Sequence, residues 1–298
     1  MKRTLDQGDL VPVPSPGGHR GDRSIGTILI HAGRLSLEDA ELIMRAQRER
    51  GLRFGDAAVE LGLLTQADIQ FALSRQFDYP YLVRGESKVS ESVITAYAPL
   101  NPQSQVISAI RSQLMLRWFD NEMAGKALAI ISAQRREGRS FVAANLAVTF
   151  SQLGQNTLLV DADMRNPSQH TLFGLENRNG LSAILSNREE PDKVIQRIPD
   201  LPNLSVLPTG AVPPNPLELL ARPLFPQLLL ELAEAYDVIL LDSPSATESA
   251  DAQTIAVRAG AALLVVRKNA SRLWQVRGVS DTVAQASTNV VGTVLNDF

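Results

Sequence analysis

The sequence predicts an α/β protein in which a doubly wound, mostly parallel sheet follows a small N-terminal helical domain. Three observations predict this fold class. Short apolar runs alternate with helical patterns from residue 105 onward, a glycine-containing polar loop follows the first of these runs, and residues 24–76 contain an internal repeat with helix-capping residues. The length of 298 residues is sufficient for two domains.

Composition and charge restrict the class of protein. With 44% hydrophobic and 20% charged residues, the chain resembles ordinary globular proteins. It has neither an apolar run of the ~18 residues that span a bilayer nor a signal-peptide core, which predicts a cytoplasmic protein. The lack of cysteine excludes disulfides and thiolate chemistry, and three scattered histidines do not predict an imidazole-based metal site. The formal net charge of -3 argues against general nucleic-acid binding.

Residues 1–22 carry prolines and glycines among polar neighbours. Such a segment buries too little apolar surface to compensate for the entropy lost on ordering. We therefore predict a flexible tail over residues 1–22.

Residues 24–76 contain two similar units that are offset by 29 positions. In each unit a hydroxyl residue precedes an aspartate by three positions, a pattern that predicts a helix N-cap. The offset relates the following pairs: Gly26 and Gly55, Gly33 and Gly62, Ser36 and Thr65, Asp39 and Asp68, and Gln47 and Gln76. Each unit is therefore predicted to be a helix, a glycine turn and a capped helix. Two such units burying one another's apolar faces predict a helical domain over residues 23–83.

Residues 84–104 lose the apolar periodicity and contain polar residues with two prolines. This composition fits two arrangements. The segment is either a linker between the domains or an extended stretch that lies on the following domain.

From residue 105 to residue 298, apolar runs recur between stretches long enough for crossover helices. The runs are ALAIIS, TLLVDA, LSVLP, DVILLDS, AALLVV and VVGTVLN. Continuous apolar strands of this kind are typical of a parallel sheet that is covered on both faces. The second domain is therefore predicted to be a doubly wound α/β domain over residues 105–298.

The first strand leads into a polar loop and then a helix that begins near Ser140, which is where a phosphate-binding loop lies in such folds. Against the pattern G-x-x-x-x-G-K-[ST], the chain has Ala133 for the first glycine, Gly138 for the second and Arg139 for the lysine, and Ser140 matches the hydroxyl position. The match is imperfect, and a solvated basic turn is the alternative interpretation.

Aspartates follow two of the apolar strands. Asp161 and Asp163 come at the end of LLVDADMR, and Asp242 ends VILLD. Because the carboxyl ends of parallel strands meet at one edge of the sheet, these side chains are expected beside the loop, where they suit Mg²⁺ binding. Capping of the following helices is the alternative role for each aspartate taken singly.

These motifs carry a resemblance. LLVDADMR, NPSQHTLFG, NGLSAIL, LPTGAVPPNPLELL and VILLDSP, in this order, closely resemble the bacterial tyrosine kinases (BY-kinases) of capsule and exopolysaccharide export. The resemblance covers roughly residues 105–298. It implies a P-loop NTPase-like fold, with ATP and Mg²⁺ as cofactors. It also implies that Asp161 and Asp163 bind Mg²⁺ and accept the tyrosine proton, that Asp242 is the Walker B carboxylate, and that Asn296 lies near the adenine.

The phosphate-loop region departs from the family's usual Pro-Gly-Glu-Gly-Lys. Arg139 keeps the positive charge of the lysine, but a planar guanidinium is not a compact ammonium, so retained and lost phosphoryl transfer both stay open. Arg136 replaces a glycine and disfavours a positive φ, which predicts a different loop path. The resulting set of nucleotide-binding candidates is Ala133, Arg136, Glu137, Gly138, Arg139, Ser140, Phe141 and Asn296. The catalytic candidates are Arg139, Asp161, Asp163 and Asp242, and the metal-binding candidates are Ser140, Asp161, Asp163 and Asp242.

Two further family features are missing. The self-association helix usually reads Glu-x-x-Arg-x-x-Arg, and this chain has Gln105, Ser108 and Arg111 at those positions, which leaves a homo-oligomer open. The family's C-terminal tyrosine cluster has no counterpart after the last strand. A tyrosine substrate is therefore expected on another protein or near residues 84–104.

The N-terminal repeat resembles the N-terminal domain of type II secretion and type IV pilus ATPases, some of which bind cyclic di-GMP. The implied ligand-binding residues are Gly26, Gly33, Gln47, Arg53, Gly55, Gly62, Leu63 and Gln76. Unit one has Ser24 where the motif expects an arginine, so weaker binding is expected. A helical docking module with glycines as C-caps is the alternative.

Together these patterns lead to one principal functional hypothesis. The chain is predicted to be an ATP·Mg-dependent tyrosine-kinase-like protein of exopolysaccharide chain-length control that works with a separate membrane-embedded polysaccharide co-polymerase and is recruited by it to the inner membrane. The alternative is a non-catalytic ATP/ADP-dependent switch of the MinD/ParA type. Control of either activity by cyclic di-GMP is a third, compatible hypothesis.

Overall fold

The computed structural model describes residues 24–76, 79–121 and 125–297. The chain divides into two compact units, Met1–Asp78 and Tyr79–Phe298. We refer to them as the helical unit and the α/β unit. The predicted flexible tail over residues 1–22 lies outside the described residues. No helix in the described part of the chain combines the length and apolar character needed to cross a bilayer.

The helical unit contains the predicted repeat of helix, glycine turn and capped helix. Its helices are α1 (Ile25–His31), α2 (Leu37–Arg50), α3 (Phe54–Glu60) and α4 (Gln66–Gln76). Gly33 and Gly62 each take φ +68° after the first helix of their repeat, a conformation that favours glycine. Thr65 and Asp68 form a reciprocal cap, because Thr65 Oγ1 accepts from the Asp68 N–H at 3.2 Å and Asp68 Oδ2 accepts from the Thr65 N–H at 3.0 Å.

The α/β unit is built on one mixed sheet. Its strands are β1 (Ala127–Ser132), β2 (Thr157–Asp161), β3 (Gln196–Arg197), β4 (Leu204–Leu207), β5 (Val238–Asp242), β6 (Ala261–Arg267) and β7 (Asn289–Asn296). Its helices are α5 (Ile94–Tyr97), α6 (Pro102–Leu114), which continues into a π-helical turn (Met115–Phe119), α7 (Arg139–Gln152), α8 (Gln169–Phe173), α9 (Leu181–Leu185), α10 (Pro191–Val194), α11 (Pro216–Ala221), α12 (Leu224–Ala235), α13 (Asp251–Ala259) and α14 (Leu273–Gln285).

Sheet order confirms the doubly wound α/β prediction. Within the described residues the strands follow the order β3-β4-β2-β5-β1-β6-β7, and all neighbours pair in parallel except β3 and β4. Alternate residues of the central strands are buried on opposite faces: Leu128 and Ile130 pack into one apolar cluster and Ala129 and Ile131 into another. This double burial explains why the strands are apolar throughout. The short antiparallel strand β3 was not predicted.

Residues 79–104, which follow the helical unit in the chain, pack against the rest of the α/β unit. The side chains of Leu82, Val93 and Ala96 join the same apolar cluster as β1, and the Thr95 N–H donates to Asn145 Oδ1 of α7 at 3.0 Å. The boundary therefore falls between Asp78 and Tyr79, earlier than predicted. Of the two arrangements proposed for residues 84–104, the linker is wrong, because buried apolar side chains fix this segment to the domain.

Candidate functional site

Residues 133–138, which we call the phosphate loop, connect β1 to α7. Gly138 caps the N-terminus of α7 with φ +96°. Arg136 takes φ +60°, the conformation that an arginine at this position was expected to disfavour. A left-handed conformation costs a non-glycine residue roughly 1–2 kcal/mol, and the surrounding contacts must supply this energy. The loop ends at the N-terminus of a 14-residue helix, where the first backbone N–H groups lack an intrahelical partner, an arrangement suited to phosphate.

The buried side chain of Glu137 holds the phosphate loop together. Its Oε2 accepts from the Gln134 N–H at 2.7 Å, and its Oε1 accepts from the Ser271 hydroxyl. The Glu137 carbonyl accepts from Asn296 Nδ2 at 3.1 Å. Glu137 therefore links the loop to the ends of β6 and β7, and Asn296 lies against the phosphate loop.

Arg139 does not extend away from the protein as a phosphate clamp. Its guanidinium is buried, with Nε donating to the Ser243 carbonyl at 2.9 Å and Nη1 donating to the Gln134 carbonyl at 2.7 Å and to the Ser132 hydroxyl. The fork thus connects the ends of β1 and β5 to the loop. A lysine, which has one nitrogen, could not reach the same acceptors with this geometry.

Asp161 and Asp242 lie side by side at the ends of the adjacent strands β2 and β5. They are paired in the β2–β5 register and both are fully buried. Asp161 Oδ2 accepts from the backbone N–H groups of Ser168 and Gln169, each at 2.9 Å. In contrast, the Oδ1 atoms of Asp161 and Asp242 are buried and have no hydrogen-bond partner in the described part of the molecule. Buried oxygens of this kind usually have a partner.

Burial of the two acids raises their pKa values. For Asp242, loss of solvation raises the pKa to about 6, against the lowering effects of hydrogen bonds from Ser140 and Gln169 and of the positive charge of Arg139. For Asp161, burial and the neighbouring Asp242 raise the pKa well above the usual range of an aspartate. Two buried carboxylates at adjacent strand ends without a bound cation resist simultaneous ionisation.

Asp163 has a different set of partners from the other two acids. Its Oδ1 accepts from the backbone N–H groups of Arg165 and Asn166, at 3.2 and 3.0 Å. No cluster of three or more His, Cys, Asp or Glu side chains able to hold a metal is found among residues 24–76, 79–121 and 125–297. Asp161 and Asp242 lie at the ends of adjacent strands. Gln169 Nε2 joins Asp242 to the Ser140 carbonyl. Besides burial, the charge of Asp163 raises the pKa values of both acids, and all four residues stay predicted metal-binding candidates.

The remaining loop candidates are packed into the protein. The Ala133 carbonyl accepts from Thr247 Oγ1 at 2.7 Å, and the Phe141 side chain packs against the apolar cluster that includes Leu128. The Ala133 side chain is fully buried, so any contribution of Ala133 to nucleotide binding is through its backbone.

Comparison with known proteins identifies the family. A family model described as cellulose biosynthesis protein BcsQ matches residues 126–280. Tyrosine-protein kinase YwqD of Bacillus subtilis is 34% identical over 210 residues, which cover 70% of this chain and 87% of YwqD. The chain belongs to the bacterial tyrosine-kinase family.

Solved structures agree with this family. The kinase domain of Escherichia coli tyrosine kinase ETK is 31% identical, with a TM-score of 0.67 over 74% of this chain and 85% of that domain. The septum site-determining protein MinD of Pyrococcus horikoshii, solved with Mg-ADP, is 25% identical with a TM-score of 0.51 over 57% of this chain and 70% of MinD. The BY-kinase resemblance is thus confirmed, together with the P-loop NTPase-like fold.

Two polar links in this BY-kinase domain were missed by the sequence analysis. Gln169, the first residue of α8, donates from Nε2 to Asp242 Oδ2 at 2.7 Å. Arg165 forms a two-point ion pair with the buried Asp251 at 2.7 and 3.2 Å, which ties the loop after β2 to the start of α13. Both links join residues far apart in sequence, and only the order of strands brings them together. His170, in the NPSQHTLFG motif, shares a 3.3 Å hydrogen bond between its Nε2 and the hydroxyl of its neighbour Thr171.

In the helical unit, most of the proposed cyclic di-GMP residues have local structural roles. A Cβ on Gly26 would lie 3.4 Å from the Phe54 ring, and a Cβ on Gly55 would lie 3.0 Å from Ile69. The remaining residues occupy turn, cap and helix positions: Gly33 and Gly62 in the turns, Gln47 and Gln76 at helix ends, Arg53 as the N-cap of α3, and Leu63 against the apolar core. The family match lies within the α/β unit, so the resemblance to secretion ATPases stays a prediction.

Proposed function

We propose that this protein is an ATP- and Mg²⁺-dependent protein tyrosine kinase of exopolysaccharide synthesis. The observation that carries the proposal is the pair of buried aspartates Asp161 and Asp242 at the strand edge next to the phosphate loop. Each has an Oδ1 atom with no hydrogen-bond partner among the described residues. Carboxylate oxygens of this kind suit Mg²⁺, which is typically held by one or two carboxylates and the phosphates of a nucleotide.

The chain's own groups divide the work of phosphoryl transfer. Backbone N–H groups at Gly138 and the start of α7 would bind the β-phosphate, and Ser140, Asp161 and Asp242 would hold Mg²⁺. The bound ion supplies neutralisation of charge on the phosphate oxygens. Arg139 contributes a fixed positive charge beside the loop, and a carboxylate of the Asp161–Asp163 motif accepts the tyrosine proton.

The acceptor tyrosine is proposed to lie on another protein. In the α/β unit Tyr97 is buried, and the Tyr79 hydroxyl donates to Gln152 Oε1 at 2.9 Å. We assign the acceptor role to a separate membrane-embedded polysaccharide co-polymerase, which would recruit the kinase to the inner membrane for control of chain length. Relatives named as tyrosine kinases support transfer to a tyrosine, and the family model described as cellulose biosynthesis supports a role in polysaccharide synthesis.

The test uses purified full-length protein with Mg·ATP and a glutamate–tyrosine copolymer as acceptor. We expect transfer to tyrosine by the wild type and its loss, by about 100-fold or more, in Asp161→Asn and Asp242→Asn. Asp281→Asn, at an exposed position of α14, is the matched control and should behave as the wild type. Unchanged transfer in both site variants would overturn the proposal.

A second function, a non-catalytic nucleotide switch, is favoured by the position of Arg139. Its guanidinium is bound to the carbonyls of Ser243 and Gln134 and so is not free to follow charge onto a γ-phosphate. The structural likeness to MinD is compatible with such a switch. Calorimetric binding of Mg·ATP without transfer to the copolymer would select the switch over the kinase.

Control by cyclic di-GMP is a separate proposal for the helical unit. It rests on the repeat that contains Arg53 and Gln76, and the local packing of Gly26 and Gly55 provides the competing explanation. Calorimetry of the full-length protein with cyclic di-GMP would test it, with Arg53→Ala as the variant. Absence of binding heat in the wild type would remove this proposal and leave the kinase proposal untouched.

A further inference from the structure

Gln169 hydrogen-bonds to both buried aspartates and to the helix after the phosphate loop. Its backbone N–H donates to Asp161 Oδ2 at 2.9 Å, and its side-chain Nε2 donates to Asp242 Oδ2 at 2.7 Å. The same Nε2 donates to the Ser140 carbonyl at 3.2 Å. One fully buried residue therefore connects the ends of β2 and β5 with the start of α7.

The chemistry of these partners fixes the orientation of the Gln169 amide. A carboxylate oxygen and a backbone carbonyl both accept hydrogen bonds, so the NH₂ group must face them. The opposite atom, Oε1, is buried and has no partner within the described residues. Asp161 Oδ1 and Asp242 Oδ1 share this condition within the described residues. Three acceptors without a partner therefore lie on Gln169 and on the two aspartates to which it donates.

We propose that Gln169 positions Asp161 and Asp242 for a divalent cation by occupying Oδ2 of each carboxylate and leaving Oδ1 of each free. This inference rests on the proposed binding of Mg·nucleotide. The donated hydrogen bonds also offset the repulsion between two like charges at adjacent strand ends. Because Nε2 is tied to Ser140 as well, Gln169 sets the acids relative to the helix that carries the candidate metal-binding hydroxyl.

Gln169 is a positioning residue, since it acts through the candidate ligands. Partners that orient metal ligands typically change metal affinity by about 10- to 100-fold when they are removed. Loss of the amide should therefore weaken the Mg²⁺-dependent part of nucleotide binding. Binding of the phosphates to backbone N–H groups does not use Gln169 and should persist without the cation.

The test measures ADP affinity of the full-length protein by calorimetry in Mg²⁺ and in EDTA. Gln169→Met keeps the length of the side chain and removes the Nε2 donor to Asp242 and Ser140. We expect the ratio of the two affinities to fall about tenfold, with the affinity in EDTA within about twofold of the wild type. Gln169→Asn, which keeps an amide on a shorter stem, is the second variant and should lose most of the same ratio.

Gln152→Met is the matched control. Gln152 is also buried, and its Nε2 donates to the carbonyls of Pro80 and Thr95 at 2.9 and 3.0 Å, on α7 but away from the acids. Gln152→Met should lower thermal stability and keep the wild-type ratio of ADP affinities in Mg²⁺ and in EDTA. All variants are compared at temperatures where unfolding curves show them folded.

Provided that Mg²⁺ raises the ADP affinity of the wild type, two outcomes would overturn the inference about Gln169 and leave the proposed Mg·nucleotide binding intact. One is a wild-type affinity ratio in both Gln169 variants. The other is an equal loss in Mg²⁺ and in EDTA, which would assign Gln169 a purely structural role. Absence of any Mg²⁺ effect in the wild type would overturn the proposed Mg·nucleotide binding, and this inference with it.

Discussion

Arg139 donates from Nε to the carbonyl oxygen of Ser243 at 2.9 Å, so the residue in the place of the phosphate-loop lysine is bound to the end of β5. Its Nη1 also donates to the Gln134 carbonyl at 2.7 Å, inside the phosphate loop. The guanidinium therefore stabilises the loop in the absence of a phosphate. Its positive charge also lowers the pKa of Asp242, against the dominant effect of burial, which raises it.

Replacing Arg139 by lysine should lower the stability of the protein and raise the rate of phosphoryl transfer. Arg139→Lys loses the two-nitrogen contact, and we expect the free energy of unfolding to fall by about 1–3 kcal/mol without nucleotide. A flexible ammonium is released for the γ-phosphate, and transfer to a tyrosine copolymer should rise by about tenfold. Urea unfolding and labelled-phosphate transfer measure the two effects. Arg139→Met, which has no charge, is the control and should lose both stability and phosphoryl transfer. A lower transfer rate in Arg139→Lys than in the wild type would contradict the prediction.

The raised pKa of Asp242 predicts that the stability of the protein falls as pH rises. The folded-state pKa of about 6 lies above the ordinary value of 3.8, so the folded protein binds more protons than the unfolded chain between these values. Stability from this group is complete below the lower value and is lost as pH rises through the higher one. Asp242→Asn cannot ionise and should exceed the wild type at pH 8 by up to about 3 kcal/mol.

Urea unfolding from pH 4 to pH 8 tests this difference in the absence of Mg²⁺. The two proteins should converge toward pH 4, where Asp242 is protonated. Addition of Mg·ADP should reverse the order at pH 8, because the variant lacks one of the two carboxylates proposed to hold the cation and gains less from binding. Parallel stability curves across this pH range would show that Asp242 is not the group responsible.

The sheet and its acidic edge were predictable because local patterns determine them. Each predicted apolar run became a strand, and the parallel order placed Asp161 opposite Asp242. The partners of these acids were not predictable. Gln169 reaches Asp242 only because α8 begins beside the end of β5, and no period or spacing in the sequence encodes that approach.

The phosphate loop shows a second limit of sequence reasoning. Propensity alone disfavours φ +60° at Arg136, and yet the loop adopts it. The Arg136 carbonyl accepts from Arg267 Nη1 at 3.2 Å, and buried Glu137 accepts from the Gln134 N–H. These two hydrogen bonds, one from β6 and one within the loop, outweigh a local preference of roughly 1–2 kcal/mol.

The left-handed conformation of Arg136 predicts the order of stability of two variants. Glycine takes φ +60° without steric strain, whereas alanine has the same strain as arginine and makes fewer contacts. Arg136→Gly should therefore be more stable than Arg136→Ala by about 1 kcal/mol. Thermal unfolding at neutral pH compares them. Equal melting temperatures would indicate that the loop does not hold a positive φ in solution.

The close contact of Gly180 with the end of β4 predicts a large loss of stability in Gly180→Ala. A Cβ on Gly180 would lie 2.1 Å from the Pro208 carbonyl oxygen and 2.6 Å from the Gly210 nitrogen, and both atoms belong to the backbone. The chain would have to separate here, which breaks the 2.9 Å hydrogen bonds from Leu181 N to Pro208 O and from Ser182 N to Thr209 O. We expect the free energy of unfolding to fall by about 3 kcal/mol or more.

The displacement should also reach the candidate site. Thr209 Oγ1 donates to the Asp161 carbonyl at 2.7 Å, so movement of the residues after β4 alters the support of that acid. Gly278→Ala is the control, because a Cβ on this glycine of α14 meets no described atom within 4 Å and alanine favours a helix by about 1 kcal/mol. The melting temperature measured by calorimetry should therefore fall in Gly180→Ala and rise in Gly278→Ala. A Gly180→Ala protein as stable as the wild type would mean that the backbones separate here more readily than these hydrogen bonds imply.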